Sequence, residues 1–187
     1  MTNLTPIAPN LAASGPTTLV FKEKKGLTLT GDSGKVLDKD GNVVFEVDAH
    51  AMTMSERRTL KDASGAKIGQ VRKKKTPGLH AACYIGTMDD EKKCMVKVKG
   101  MLNPIKCDAD IYIGDKVVGE ATGNWRAKTF TVTMGGNQVA TITRKTGITG
   151  HLFDADSYFI EVADGLDTAF ASMVVIALDE LYHDDDY

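Results

Sequence analysis

The sequence predicts a mainly-β protein: a closed barrel of about twelve strands enclosing a central hydrophobic C-terminal α-helix. Three observations carry that expectation. From Thr17 to about Ala163, short segments rich in Val, Ile and Thr alternate with turn clusters. Within Leu166 to Tyr182, the stretch Ala169 to Leu178 is apolar on every face, broken only by Ser172. The chain has 187 residues, 42% hydrophobic and only 6% aromatic, enough for one sizeable aliphatic core. A flat sheet covers one face of a helix. A closed barrel covers all of them and leaves no strand edge exposed.

Residues 1–16 hold three of the five prolines (Pro6, Pro9, Pro16) and read as a flexible arm without the basic and apolar regions of a signal peptide. The barrel domain is then expected over residues 17–182. Val43-Val44-Phe45-Glu46-Val47 follows the turn Asp40-Gly41-Asn42. Met95-Val96-Lys97-Val98-Lys99 alternates, placing Val96 and Val98 on one side and Lys97 and Lys99 on the other. Ile111-Tyr112-Ile113 and Lys116-Val117-Val118-Gly119-Glu120 flank Gly114-Asp115, a hairpin pair. Phe130 to Met134 and Gln138 to Thr143 flank Gly135-Gly136-Asn137 in the same way. Trp125 reads as an anchor in the barrel wall or a hairpin.

For the C-terminal helix, Asp164 is the expected N-cap, with Asp167 at the third helical position near the positive end of the dipole. Leu166 to Tyr182 spans about 25 Å as a helix, and its uncharged part is shorter than a membrane crossing needs, so it reads as buried. Asp179 and Glu180, at the negative end of the dipole, are expected to emerge from the barrel or pair with a cation. Residues 183–187 form an acidic, frayed tail.

The composition excludes disordered, collagen-like and multi-span membrane classes. Three cysteines (Cys83, Cys94, Cys107) without paired spacing read as reduced thiols, and hence a cytoplasmic location. The four His lack zinc-ligand spacing. Cys83 and His80 sit three apart on a strand-like segment and so project to opposite faces, which removes the one thiol-nucleophile pairing. With no catalytic motif, the chain reads as a non-enzyme without cofactor or metal.

The net charge of −2 hides an asymmetry. Residues 1–100 carry 17 Lys+Arg against 11 Asp+Glu, and residues 101–187 carry 6 against 14. Between Arg57 and Lys75, eight cations face one acid, Asp62. Arg57, Arg58, Arg72, Lys73, Lys74 and Lys75, joined by Lys97 and Lys99, are the candidate ligands for anionic headgroups, each cation near a membrane surface contributing about 1 kcal/mol. Nucleic acid is the poorer fit, because the pI of 6.1 is not basic and no aromatics interleave the run.

Asp156-Ser-Tyr158 through Asp164-Gly-Leu-Asp167 to Ala177-Leu178-Asp179-Glu180 resembles the C-terminal strand and helix of the LURP-one-related proteins. Ser55-Glu-Arg57-Arg58-Thr-Leu60-Lys-Asp62-Ala-Ser-Gly65, Arg72-Lys73 and Val139-Ala140-Thr-Ile142-Thr-Arg144-Lys145 resemble the same family. The resemblance implies the Tubby C-terminal-like fold, shared with phospholipid scramblases, in which a twelve-stranded barrel encloses a central helix. It implies a phosphoinositide-binding, peripherally membrane-associated module or, alternatively, an interaction scaffold in stress or defence signalling with a protein partner. Asp154-Ala155-Asp156 is similar to a scramblase segment proposed to bind calcium. As an EF-hand it fails, with Phe159 at the glycine position and Gly165 at the glutamate position.

Overall fold

The structure, a computed structural model, describes residues 6–24, 33–50, 57–74, 81–89, 91–99, 106–124, 129–144 and 157–182. These form twelve strands and one α-helix. The strands are β1 (Thr17–Lys24), β2 (Ser33–Asp38), β3 (Val43–His50), β4 (Arg57–Asp62), β5 (Lys67–Lys73) and β6 (Ala82–Gly86). They continue as β7 (Lys92–Val98), β8 (Lys106–Ile113), β9 (Lys116–Asn124), β10 (Thr129–Met134), β11 (Asn137–Arg144) and β12 (Ser157–Val162), followed by the helix α1 (Thr168–Tyr182). Every strand pairs antiparallel with its neighbour in sequence. β12 returns to β1, with Thr17 opposite Val162 and Phe21 opposite Tyr158, and this closes the barrel.

Turn chemistry fixes the register. The β2–β3 and β4–β5 connections are two copies of one device. Asp38 accepts from the N–H groups of Asp40 and Asn42 (both 2.9 Å), and Asp62 from those of Ser64 and Ala66 (both 2.9 Å). Gly41 (φ 88°) and Gly65 (φ 87°) supply the left-handed residue each turn requires. A one-residue register shift lies beside each turn, between Val36 and Leu37 and between Leu60 and Lys61 on the strands that enter them. The expected hairpins at Gly114-Asp115 and Gly135-Gly136 are present, with Asn137 already the first residue of β11.

The core is the barrel interior. Strand alternation points one side chain in two inward: in β7, Cys94, Val96 and Val98 are buried while Met95 and Lys97 are half-buried. The helix fills the remaining space, and every residue from Ala169 to Asp179 is buried. Gly69 on β5 makes room for it. A Cβ on Gly69 would lie 2.8 Å from both Met173 Cε and the Gly86 carbonyl. Among the described residues no helix is long and apolar enough to cross a membrane.

The structure corrects two expectations at the helix N-terminus. The cap is Asp167, not Asp164: the Phe170 N–H donates to Asp167 Oδ1 (3.0 Å). Gly165 adopts φ 78° in a turn, so the helix begins only after it. The N-terminal segment, expected to be a loose arm, is docked where it is described. The N–H groups of Ile7 (3.0 Å) and Ala8 (2.6 Å) donate to Asp167 Oδ2, and the Ala13 N–H donates to the Leu166 carbonyl (2.9 Å). Ala8 and Ala13 join the core. An acceptor pair on one buried carboxylate thus caps the helix and ties down the segment together. His80, Trp125, Asp154, Asp156, the tail 183–187 and residues 1–5 lie outside the described residues.

Candidate functional site

Alternation along β4 and β5 divides the basic run between two environments. Leu60, Gly69 and Val71 face the interior, so Arg58 and Lys73 share the inward parity, while Arg57 and Arg72 face out. Arg58 reaches the last turn of α1. Its Nη1 lies 3.9 Å from Asp179 Oδ2 and its Nε contacts Glu180 Oε1. Tyr158 also donates to Asp179 (3.2 Å). The acids at the negative end of the helix dipole are therefore matched by Arg58, whose side chain is only 13% exposed.

The outward residues gather on the wall made by β4, β5, β6 and β7. Arg57, Arg72, Tyr84 and Met95 are consecutive cross-strand partners in one row. Lys74 and Lys97 flank Ala82 in the adjacent row: the Lys74 N–H donates to the Ala82 carbonyl (2.7 Å), and Lys97 is the register partner of Ala82. Two ammonium groups stand over the Tyr84 ring, Lys92 Nζ at 4.5 Å and Lys74 Nζ at 5.8 Å from its centroid. Arg72 is oriented from behind. Gln70 donates to the Thr87 carbonyl (2.8 Å) and accepts from Arg72 Nε (3.3 Å). A shallow groove of about 20 Å³ opens here, lined by Gln70, Arg72, Tyr84, Gly86, Glu91 and Lys92. Burial, and then the Arg57 guanidinium beside it, holds Arg72 below the usual guanidinium value. Arg57 Nε is buried and donates to no described acceptor.

Lys99 is placed differently. Its ammonium is held between Glu120 (2.7 Å) and Asp110 (3.0 Å), which push its pKa up. Lys75 lies outside the described residues. Of the eight residues singled out in the sequence, Arg57, Arg72, Lys74 and Lys97 come together on one wall. Arg58 and Lys73 turn inward, and Lys99 is engaged by two carboxylates.

A family model described as LURP-one-related matches residues 17–179, nearly the whole barrel and all but the last turn of the helix. The chain belongs to the LURP-one-related family. Curated relatives from Arabidopsis thaliana span most of its length. LURP-one-related 10 is 26% identical over 190 residues, covering 96% of this chain and 97% of the relative. LURP-one-related 5 is 29% identical over 174 residues, covering 87% and 82%. The X-ray structure of an Arabidopsis thaliana protein superposes with a TM-score of 0.69 at 21% identity, over 95% of this chain and 98% of that one. At that identity the likeness speaks for the fold.

Sequence reasoning missed three members of this LURP-one-related wall. Tyr84 and Gln70 were not singled out, and Lys92 counted only toward the bulk charge. Alternation in Ala82-Cys83-Tyr84-Ile85 puts Tyr84 outward opposite Cys83, so its face was legible. Its apposition to Arg72 rests on the β5–β6 register; Pro77-Gly78 marks a turn between those strands in the sequence but does not set which residues pair.

Proposed function

We propose that this LURP-one-related chain is a non-enzymatic module that docks on acidic phospholipid headgroups, phosphoinositides included, at a membrane surface. The observation that supports it is the gathering of Arg57, Arg72, Lys74, Lys92 and Lys97 around Tyr84 on one wall of the barrel. Five cations at about 1 kcal/mol each amount to about 5 kcal/mol, a sub-millimolar association suited to reversible peripheral binding. Because these charges lie at the surface, the association is screened by salt.

Co-sedimentation with phosphatidylcholine vesicles, with and without 20% anionic lipid, tests the reading (about one lipid in five gives a surface potential of the cytoplasmic-leaflet kind). The expected result is binding to the anionic vesicles only, lost at high salt. Absence of binding to anionic vesicles at low salt overturns it, and a protein partner that survives charge reversal of the wall favours the scaffold reading instead.

A further inference from the structure

We infer that the outer row Tyr84, Met95, Tyr112 and Val117 is an insertion edge, which sinks into the interfacial region of an anionic membrane with the tip of the β8–β9 hairpin leading. It rests on the headgroup-binding reading and adds how the barrel is seated: edge-on through this row, and not by charge alone.

The row follows from strand alternation and register. Cys83 and Ile85 are buried in β6, Cys94 and Val96 in β7, and Ala109 and Ile111 in β8, so Tyr84, Met95 and Tyr112 point out of the barrel. Tyr84 is the register partner of Met95, Met95 of Tyr112, and Tyr112 of Val117. Adjacent strands from β6 to β9 thus carry one contiguous row, with interstrand steps of ~4.8 Å and a length of about 14 Å. Tyr84, Met95 and Tyr112 are half-buried. Val117 is 55% exposed, and among the described residues it is the one exposed large hydrophobic side chain. A single exposed Val needs no explanation, but one that ends a contiguous outward row does.

Charge says what the row meets. Lys92 and Lys74 stand over Tyr84, their Nζ atoms 4.5 and 5.8 Å from the ring centroid, and Lys97 follows Met95 on the same face of β7. The acids nearby are already engaged, Glu91 by Lys93 (2.5 Å), and Asp110 (3.0 Å) and Glu120 (2.7 Å) by Lys99. At the tip, Asp115 is offset by the adjacent Lys116. The row is therefore bordered by Lys74, Lys92 and Lys97, which suits an anionic surface and repels a basic one. Tyrosine rings, apolar in body and polar at the hydroxyl, settle at headgroup level, and lysine stems lie along such a surface with the ammonium in water. A row about 14 Å long on a convex barrel offers far less than the roughly 800 Å² per side of a stable protein interface, whereas a bilayer closes around a narrow edge.

The test uses the full chain and phosphatidylcholine vesicles in which about one lipid in five is phosphatidylserine, followed by co-sedimentation and fluorescence. Val117→Cys and Lys39→Cys are each labelled with an environment-sensitive dye, and dye-treated wild type gives the background of the native thiols. Residue 39 lies between β2 and β3, on the opposite side of the twelve-stranded barrel. On vesicle binding the label at 117 is expected to shift to the blue and the label at 39 to stay unchanged. Two uncharged substitutions at the exposed tip isolate the apolar contribution. Val117→Ser is expected to weaken vesicle binding about threefold and Val117→Phe to strengthen it by about as much, with the salt dependence unaltered. Sedimentation with no blue shift at 117, or with both substituted chains binding like the wild type, overturns the insertion edge and leaves the headgroup reading standing. Equal shifts at 117 and 39 overturn it too. No binding of any chain to the anionic vesicles at low salt overturns the headgroup reading and the insertion with it.

Discussion

At the scale of single residues, two buried groups make the strongest claims. Asp167 accepts from Phe170 with one oxygen and from Ile7 and Ala8 with the other. Burial pushes its carboxyl up, and the N–H donors of Ala8, Phe170 and Ile7 pull it back. Asp167→Ala removes a helix cap, about 1 kcal/mol, and leaves two further N–H groups without their acceptor, about 1–3 kcal/mol for each that stays buried. A loss of about 3 kcal/mol or more in chemical denaturation is expected, with residues 6–13 becoming open to proteolysis. A loss under about 1 kcal/mol would mean that the segment does not depend on this carboxylate. Cys94 makes the second claim. Burial pushes its thiol up to about 12 from a reference of 9.0. The folded state therefore keeps its proton where the unfolded state releases it. Its contribution is intact below pH 9 and falls by about 1.4 kcal/mol per pH unit as the pH rises from 9 toward 12. Cys94→Ser is expected to flatten that alkaline slope in urea titrations; an unchanged slope would place its origin elsewhere.

At the scale of elements, the helix and its end caps decide whether the barrel holds together. The C-terminal end of α1 carries Asp179, 1% exposed at its side chain, beside Glu180, both against the dipole. Arg58 from β4 matches them. Arg58→Met leaves buried carboxylates uncompensated and is expected to cost about 3–5 kcal/mol. Adding Asp179→Asn is expected to restore part of that, and the double-mutant cycle measures the coupling. Additive losses would show that the pair does not interact. This residue also marks where sequence reasoning stops. The alternation of Met95 to Lys99, the apolar helix and the glycine hairpins are written in local pattern, because strand and helix periods are local properties. Arg58 stands next to Arg57 in sequence, and nothing local distinguishes them. Leu60, two residues on and buried in the core, assigns Arg58 to the interior, and the distant Asp179 and Glu180 give it partners. Residue type does not separate Asp164, the expected cap, from Asp167, the actual one. The left-handed turn at Gly165 and the docked segment at Ile7 and Ala8 decided between them.

At the scale of the whole molecule, the meander converts position in sequence into position around the barrel. Because each strand neighbours the next and β12 closes on β1, the described residues from Thr17 to Lys99 build the wall of β1 to β7 and those from Lys106 to Tyr182 the wall of β8 to β12 with the helix. Among the described residues the first part carries 15 Lys+Arg against 8 Asp+Glu and the second 3 against 9, a charge separation across the barrel. Such a separation orients the molecule toward an anionic surface before contact and is damped within a Debye length of about 10 Å at moderate salt. Location of charge, rather than its total of −2, is then what a partner senses. Two variants with the same net charge separate these possibilities. One carries Lys74→Glu, Lys92→Glu and Lys97→Glu on the β4–β7 wall. The other carries Lys39→Glu, Lys67→Glu and Lys116→Glu, at exposed positions in or beside turns of the barrel. The deciding measurement is their binding to vesicles containing anionic lipid at low salt, beside the wild type. The wall variant is expected to lose binding and the turn variant to keep most of it. Equal loss in both, or retention by the wall variant, would contradict a headgroup-binding wall.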